Sequence, residues 1–130
     1  MSDNERAVRV VIADDDGDIR ALVKISVAKA GLNVVADVAD GEAALAAITE
    51  HVPDLAILDI SMPGLTGIEV CRKVRENPAL AGVRVLLLTA AVDDKTRQIG
   101  LNAGATDYLF KPFSPRALVA SLAEHAGGLQ

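Results

Sequence analysis

A short apolar segment that ends on a carboxylate constrains most strongly how this 130-residue chain can fold. Leu55–Leu58 is uniformly aliphatic and is bounded by Pro53 and Pro63. Such a continuous run predicts a strand buried on both faces, as in a parallel sheet. Asp59 ends the run, and open α/β sheets bind ligands outside the carboxyl ends of their strands. Taken alone, Asp59 is equally well explained as a cap for the segment that follows.

Four other segments are also strand-like, and a helical pattern follows each of the five. The predicted strands are Val8–Ala13, Val34–Ala39, Leu55–Leu58, Val83–Leu88 and Asp107–Phe110. Capping residues and Gly or Pro stops bound the helices; the fourth, Asp93–Ala103, has few apolar residues and a central Gly100, so we expect it to be the least securely packed. Regular alternation of strand and helix predicts a parallel sheet within one domain, residues 1–130.

Composition excludes several classes of function. Aromatic residues make up 2% of the chain and the net charge is −5, so we expect no direct binding to nucleic acid. Cys71 is the one cysteine, which excludes an internal disulfide and fits a reducing compartment; we expect it in the core. Residues 1–6 are polar and charged, and resemble neither a signal peptide nor a membrane span. We therefore expect a cytoplasmic domain with no membrane partner.

Polar residues end four of the predicted strands and should meet at one edge of the sheet. Asp14 and Asp15 follow the first strand, Asp59 the third, Thr89 the fourth and Lys111 the fifth. Two carboxylates about 5 Å apart repel by roughly 3 kcal/mol at an effective dielectric near 20, so the cluster must take up a proton or a cation. Oxygen ligands without His or Cys favour a hard cation such as Mg²⁺, which also accepts phosphate oxygens.

The spacing of acids after the first strand also has the beginning of a calcium loop. Asp14, Asp16 and Asp18 alternate as calcium ligands would, but Ile19 stands where that loop requires a glycine. A calcium loop is excluded, and Asp16 and Asp18 are predicted to start a helix.

Four motifs in order resemble the receiver domains of bacterial two-component response regulators. They are the strand-end Asp-Asp pair, the Asp-x-x-Met-Pro-Gly turn, the Thr-Ala after the fourth strand and the Gly-Ala-x-Asp-Tyr-Leu-x-Lys-Pro-Phe segment. The likeness runs from Val8 to about Glu124. It implies a doubly wound (βα)5 domain of the α/β class, with a five-stranded parallel sheet in the flavodoxin-like order 2-1-3-4-5.

The resemblance also implies a role for each acid. Asp59 would be the phosphoacceptor, taking a phosphoryl group from a kinase phosphohistidine. Asp15 and Asp59 would ligate Mg²⁺ (or Mn²⁺) directly, Asp14 mainly through water, and the Ser61 backbone carbonyl would complete the protein ligands. Such a domain is a phosphorylated signalling module that catalyses only its own phosphoryl transfer and dephosphorylation, and is not otherwise an enzyme.

Three further residues gain roles by the same resemblance. Lys111 would pair with a phosphoryl oxygen, Thr89 would hydrogen-bond it, and Tyr108 would change rotamer with Thr89. The Lys111–Pro112 bond is expected to be cis. Ser61 and Ala91 lie two residues after the phosphoacceptor and the strand-four threonine, respectively, where their short side chains predict an intermediate lifetime for the phosphoryl group.

The implied partners are a sensor histidine kinase or a histidine phosphotransfer protein, and a downstream protein or attached output domain. The face made by the fourth helix, fifth strand and fifth helix would control that partner, and the chain is expected to be a monomer or weak homodimer. One alternative is a receiver fragment of a longer DNA-binding regulator or hybrid kinase. A remote alternative is an aspartyl-phosphate phosphatase, which would need a second Asp where Ser61 stands.

Overall fold

The computed structural model describes residues 7–90, 93–111 and 114–127, which form five strands alternating with five helices. The strands are β1 (Arg9–Ala13), β2 (Asn33–Val38), β3 (Leu55–Asp59), β4 (Arg84–Thr89) and β5 (Asp107–Phe110). The helices are α1 (Gly17–Lys29), α2 (Gly41–His51), α3 (Gly67–Glu76), α4 (Asp94–Asn102) and α5 (Pro115–Ala126). A short 3₁₀ turn, Pro78–Leu80, joins α3 to β4.

All five strands run parallel in the order β2-β1-β3-β4-β5, which confirms the predicted fold class and topology. β3 and β4 each extend one residue beyond the predicted end. Asp59 pairs with Leu88, and Thr89 pairs with Phe110, so both polar residues still belong to the sheet. Their side chains are therefore held by strand backbone rather than by a loop.

The sheet separates two apolar clusters. One packs against α2 and α3 and includes Ile48, Val70 and Cys71, which confirms that the cysteine belongs to the core. The other packs against α1 and α5 and includes Val23 and Leu122. β3 is buried along its whole length and alternates between the two clusters, as expected for a central parallel strand.

A capping side chain begins each of the five helices. The side-chain oxygens of these residues accept hydrogen bonds from backbone N–H groups of the first turn: Asp16, Asp40, Thr66, Asp93 and Ser114. Thr66 and Glu69 form the predicted capping box. Asp16 thus starts α1, as the sequence predicted, instead of joining the acids at the sheet edge.

α4 has the weakest apolar anchoring, as the sequence predicted. Gly100 is the sole buried residue within its described range. The missing side chain makes room for Tyr108, because a Cβ at Gly100 would overlap the tyrosine hydroxyl and lie 2.8 Å from Leu87 Cδ1. Tyr108 donates from that hydroxyl to the backbone carbonyls of Thr96 and Arg97 at 2.7 and 3.1 Å.

The edge of the sheet opposite the strand-end acids is tied to helix C-termini by arginines. Arg9 Nη1 donates to the carbonyl of His51 at 2.7 Å, and Arg84 Nη1 donates to that of His125 at 3.1 Å. Val52, which ends α2, has a left-handed backbone with φ 43°. No helix in the described ranges is long and apolar enough to cross a membrane.

Candidate functional site

The strand-end residues predicted from the sequence do meet at the carboxyl edge of the sheet. Asp14 directly follows β1, Asp59 ends β3, Thr89 ends β4 and Lys111 follows β5. Neighbouring strands align them, since the backbone N–H of Lys111 donates to the carbonyl of Thr89 at 2.8 Å. Asp14, Asp59 and Thr89 are buried, whereas Asp15 is exposed.

Lys111 bridges the two buried carboxylates. Its Nζ lies 3.2 Å from Asp14 Oδ2 and 3.2 Å from Asp59 Oδ1, and the second contact is a hydrogen bond. Asp59 ends β3, whereas Asp14 and Lys111 directly follow β1 and β5, so the bridge depends on the parallel order of the strands. The ammonium compensates one negative charge at the site.

The three acids are close enough to share one cation. One carboxylate oxygen from each of Asp14, Asp15 and Asp59 lies within 4.8 Å of the others. Asp14 Oδ1 accepts the backbone N–H of Asp16 at 2.9 Å. Among the described residues the buried Oδ2 makes no well-aligned hydrogen bond, and the Lys111 ammonium lies 3.2 Å from it. A buried carboxylate oxygen without a well-aligned hydrogen bond, beside two further carboxylates, fits a hard divalent cation.

The electrostatics of the site oppose ionisation of Asp59 and favour that of Lys111. Burial raises the pKa of Asp59 above its ordinary 3.8, and the Asp14 charge raises it further, against the smaller opposing effects of Lys111 and the Ser61 backbone. Burial alone would lower the pKa of Lys111, but its hydrogen bond to Asp59 and both carboxylate charges raise it above 10.5. Lys111 therefore stays an ammonium at neutral pH.

The loop after Asp59 is held close beneath the site. Ser61 is exposed in this loop. The N–H of Gly67 donates to the carbonyl of Ile60 at 3.0 Å. A Cβ at Gly67 would overlap the carbonyl oxygen of Asp59 and lie 3.1 Å from Ile60 Cα. Only glycine therefore lets α3 start this close to β3.

Tyr108 does not reach the acids. Its side chain is buried beneath α4, and its ring stacks on that of Phe110 with centroids 5.9 Å apart. Burial raises the pKa of its phenol above 10.0. Thr89 lies between the acids and this aromatic pair along the sheet edge, because β4 is the neighbour of both β3 and β5.

Two residues that matter to the site were not predicted. Gly67 follows the Met-Pro-Gly turn, but its tight contact with Asp59 depends on the angle between β3 and α3, which the sequence does not reveal. Arg20 donates from Nη1 to the carbonyl of Asp14 at 2.8 Å. It occupies the helical pattern of α1 as an ordinary polar residue, so only its position six residues after Asp14 could have drawn attention to it.

Two sequence expectations fall outside the described residues. They concern the peptide bond between Lys111 and Pro112 and the side chain of Ala91.

Residues 10–123 match the model of the response regulator receiver domain family. The chain belongs to this family. Receiver domains are signalling domains, and the family assignment confirms the resemblance that the sequence motifs indicated. The strand-end acids, Thr89 and Lys111 all lie inside the matched range.

Relatives of this receiver domain include longer regulators. The DNA-binding response regulator MtrA of Mycolicibacterium paratuberculosis is 40% identical over 112 residues, covering 86% of this chain and 48% of that protein. The transcriptional regulatory protein GltR of Pseudomonas aeruginosa is 42% identical over 122 residues, covering 94% of this chain and 49% of that protein. The chain thus spans about half the length of these curated relatives.

Solved receiver structures share the whole architecture. The receiver domain of NarL from Mycobacterium tuberculosis matches with a TM-score of 0.87 and 35% identity, covering 95% of this chain and 98% of that one. Chemotaxis response regulator CheY4 of Vibrio cholerae matches with a TM-score of 0.85 and 34% identity, covering 92% and 98%.

Proposed function

We propose that this receiver domain accepts a phosphoryl group on Asp59 from the phosphohistidine of a sensor kinase or phosphotransfer protein. The observation that carries this proposal is the bridge that Lys111 makes between Asp14 and Asp59 beside a three-carboxylate cluster. An Asp59 oxygen attacks phosphorus, the phosphorus–nitrogen bond breaks, and the imidazole nitrogen leaves with the bonding electrons. Transfer of this kind depends on positioning and charge neutralisation.

Asp14, Asp15, Asp59 and the Ser61 backbone carbonyl would hold Mg²⁺, or Mn²⁺ in its place. When bound, the cation supplies charge neutralisation for the phosphoryl oxygens. The donor set is all oxygen, which is what Mg²⁺ prefers. The acids repel one another without a cation, so the same charge that binds Mg²⁺ also makes phosphorylation depend on it.

Lys111 and Thr89 would complete the site by binding phosphoryl oxygens. Lys111 loses none of its charge near neutral pH and exchanges its carboxylate contacts for a phosphoryl oxygen. Thr89, at the end of β4, donates its hydroxyl to another phosphoryl oxygen. This new hydrogen bond draws the Thr89 side chain toward Asp59 and leaves space on the side of Thr89 that faces β5.

Tyr108 responds to that space, and the face of α4, β5 and α5 changes as a result. The support for this step is the weak anchoring of α4, where Gly100 is the sole buried residue, and the hydrogen bonds by which Tyr108 holds two α4 carbonyls. Two packings of such an element can differ by only a few kcal/mol. This face then controls a downstream protein.

A second version places the receiver within a longer DNA-binding regulator. It is favoured by the DNA-binding relatives, of which the chain spans about half. The receiver would then control an attached output domain through the same face. Sequencing the complete gene separates the two versions, because a downstream DNA-binding segment supports the second and a stop codon after residue 130 contradicts it.

Labelling with acetyl phosphate tests the phosphoacceptor directly. We expect incubation with Mg²⁺ to add one phosphoryl group to the parent chain and none to Asp59→Asn, because the amide is a far weaker nucleophile than the carboxylate. Asp94→Asn, which makes the same change at the exposed start of α4, should label as the parent does. Intact-protein mass spectrometry gives the stoichiometry.

Equal labelling of Asp59→Asn and the parent, or labelling that survives chelation of Mg²⁺, would contradict the proposal. Steady turnover of phosphate monoesters would instead favour the phosphatase alternative. That alternative is opposed by Ser61, which stands where such an enzyme needs a second acid.

A further inference from the structure

Arg20 connects α1 to the acidic loop through two contacts made by one guanidinium group. Nη1 donates to the backbone carbonyl of Asp14 at 2.8 Å, and Nε lies 3.3 Å from Asp37 Oδ1 on β2. Its side chain is 27% exposed, so solvent only partly screens these contacts. Neither contact involves an atom that the proposed chemistry uses, which separates Arg20 from Lys111.

The carbonyl that Arg20 holds belongs to the peptide unit between Asp14 and Asp15. Rotation of this unit would turn the Asp15 carboxylate away from the other two acids. The preceding peptide is already fixed, because the Asp14 N–H donates to the Val38 carbonyl at 3.1 Å. The following N–H, that of Asp16, donates to Asp14 Oδ1 at 2.9 Å. Arg20 therefore supplies the contact that fixes the orientation of the Asp14 carbonyl.

Asp37 fixes the Arg20 guanidinium in turn, and the second cation on Asp37, Lys24, provides a natural control. Asp37 Oδ2 lies 3.2 Å from Lys24 Nζ, while its Oδ1 meets Arg20. Lys24 is thus a second cation on the same carboxylate, one helical turn further along α1, and no contact joins it to Asp14. Loss of Lys24 removes a charge from this ion cluster but leaves the carbonyl contact in place.

We propose that Arg20 is a positioning residue for the metal site: it orients the Asp14–Asp15 peptide so that both carboxylates face Asp59. The inference rests on the proposed function, in which these acids hold a divalent cation. A planar guanidinium can meet a carbonyl and a carboxylate at once in a fixed geometry, whereas an ammonium is a point charge on a flexible stem. Residues that orient metal ligands commonly affect affinity by ten- to a hundredfold.

The test compares Arg20→Gln, Arg20→Lys and Lys24→Gln in the full chain by two readouts. Without metal, the ¹⁵N–¹H signal of the Asp15 amide reports the peptide that Arg20 holds. Calorimetric titration with Mn²⁺ reports affinity. We expect Arg20→Gln to shift the Asp15 signal and weaken Mn²⁺ binding about tenfold. Lys24→Gln should change neither, and Arg20→Lys should recover part of the affinity.

Unchanged Mn²⁺ affinity and an unchanged Asp15 signal in Arg20→Gln would overturn the inference, even if that variant unfolds more easily. If Arg20→Gln does not fold, Asp37→Asn loosens the guanidinium without removing it, and a several-fold loss of affinity is expected there. Lys24→Gln weakening binding as much as Arg20→Gln would also overturn it. A parent that binds Mn²⁺ but takes no phosphoryl group on Asp59 would defeat the proposed function while leaving this inference standing.

Discussion

Asp59 is kept in surroundings that oppose its own charge. Burial and the neighbouring Asp14 raise its pKa above 3.8, so the folded protein binds this proton more tightly than the unfolded chain does. The raised pKa means that Asp59 favours the folded state at low pH, and this contribution is lost as the pH rises through the pKa of the folded protein. At neutral pH and without metal, the ionised Asp59 destabilises the fold.

Asp59→Asn should therefore stabilise the metal-free protein at neutral pH. The gain should shrink as the pH falls through the raised pKa of the folded protein and vanish below 3.8, where the parent carboxyl is protonated in both states. Urea unfolding in the presence of a chelator, followed over this pH range, measures the difference. Asp94→Asn controls for a simple change in net charge. A gain of equal size at every pH would show that ionisation of Asp59 is not its cause.

The backbone of Val52 is strained, and its β-branched side chain increases that strain. The residue is exposed and has φ 43°, a conformation that β-branched side chains rarely adopt. Val52→Asn should raise the unfolding free energy by about 1 kcal/mol, because asparagine tolerates the left-handed region. Ile25→Asn makes a similar polar replacement at an exposed helical position of α1 and should give no such gain. The denaturant midpoints of the two variants, compared with that of the parent at an unchanged m-value, measure this difference in stability.

At the scale of elements, α4 and β5 meet through the space that Gly100 leaves. The Tyr108 hydroxyl occupies this space and holds two carbonyls of the helix. The position of the Tyr108 side chain and the packing of α4 are therefore coupled, since neither can change without the other. This coupling makes Gly100 the residue through which the packing of α4 can be manipulated.

Gly100→Ala should expel Tyr108 from beneath α4. Overpacking of 1–3 kcal/mol exceeds the gain in helix propensity, about 1 kcal/mol, so a net loss of roughly 1 kcal/mol in unfolding free energy is expected. The chain has one Tyr and no Trp, so tyrosine emission reports this residue alone. Acrylamide should quench it more strongly, and the phenol pKa should fall back toward 10.0 as burial is relieved.

Gly82→Ala is the matched control, because a Cβ there would meet nothing within 4 Å. Adding Tyr108→Phe to Gly100→Ala should recover part of the stability, because it removes the hydroxyl, the atom that overlaps the new methyl most, while the ring carbon Cζ and Leu87 Cδ1 still lie 2.8 Å from it. Quenching that stays at the parental level in Gly100→Ala would mean that the helix moves and the ring does not.

The elements themselves were largely predictable, whereas the contacts between them were not. Each helix start followed from a local rule, such as the Thr66–Glu69 capping box, that involves neighbours in sequence. The strand-end acids were found because parallel strands bring their ends together. Arg20 and Gly67 escaped prediction, since each acts on a residue of another segment at a distance set by helix-on-sheet packing.

At the scale of the whole molecule, the proposed metal binding would be linked to folding through the carboxylate cluster. A cation that binds the folded chain alone stabilises it by about 2.7 kcal/mol at a hundred times its dissociation constant. Saturating Mg²⁺ should therefore raise the unfolding free energy of the parent by an amount of this order. Asp59→Asn should lose most of the increment, because one of the three acids is gone.

Potassium chloride at equal ionic strength separates binding from screening, which weakens exposed charge interactions without a specific site. A parental increment no larger with Mg²⁺ than with potassium chloride would contradict a metal site at this edge of the sheet. Thermal unfolding with each salt provides the comparison.

The close approach of Gly67 to Asp59 has a consequence for how tolerant the chain is to mutation. Any side chain at position 67 would meet the Asp59 backbone, which cannot move without displacing the end of the central strand. A saturation library selected for signalling should thus return glycine at this position as strictly as aspartate at position 59. From that library alone both residues would be counted as participants in chemistry, yet Asp59 is the proposed nucleophile, whereas Gly67 contributes only the empty volume beside it.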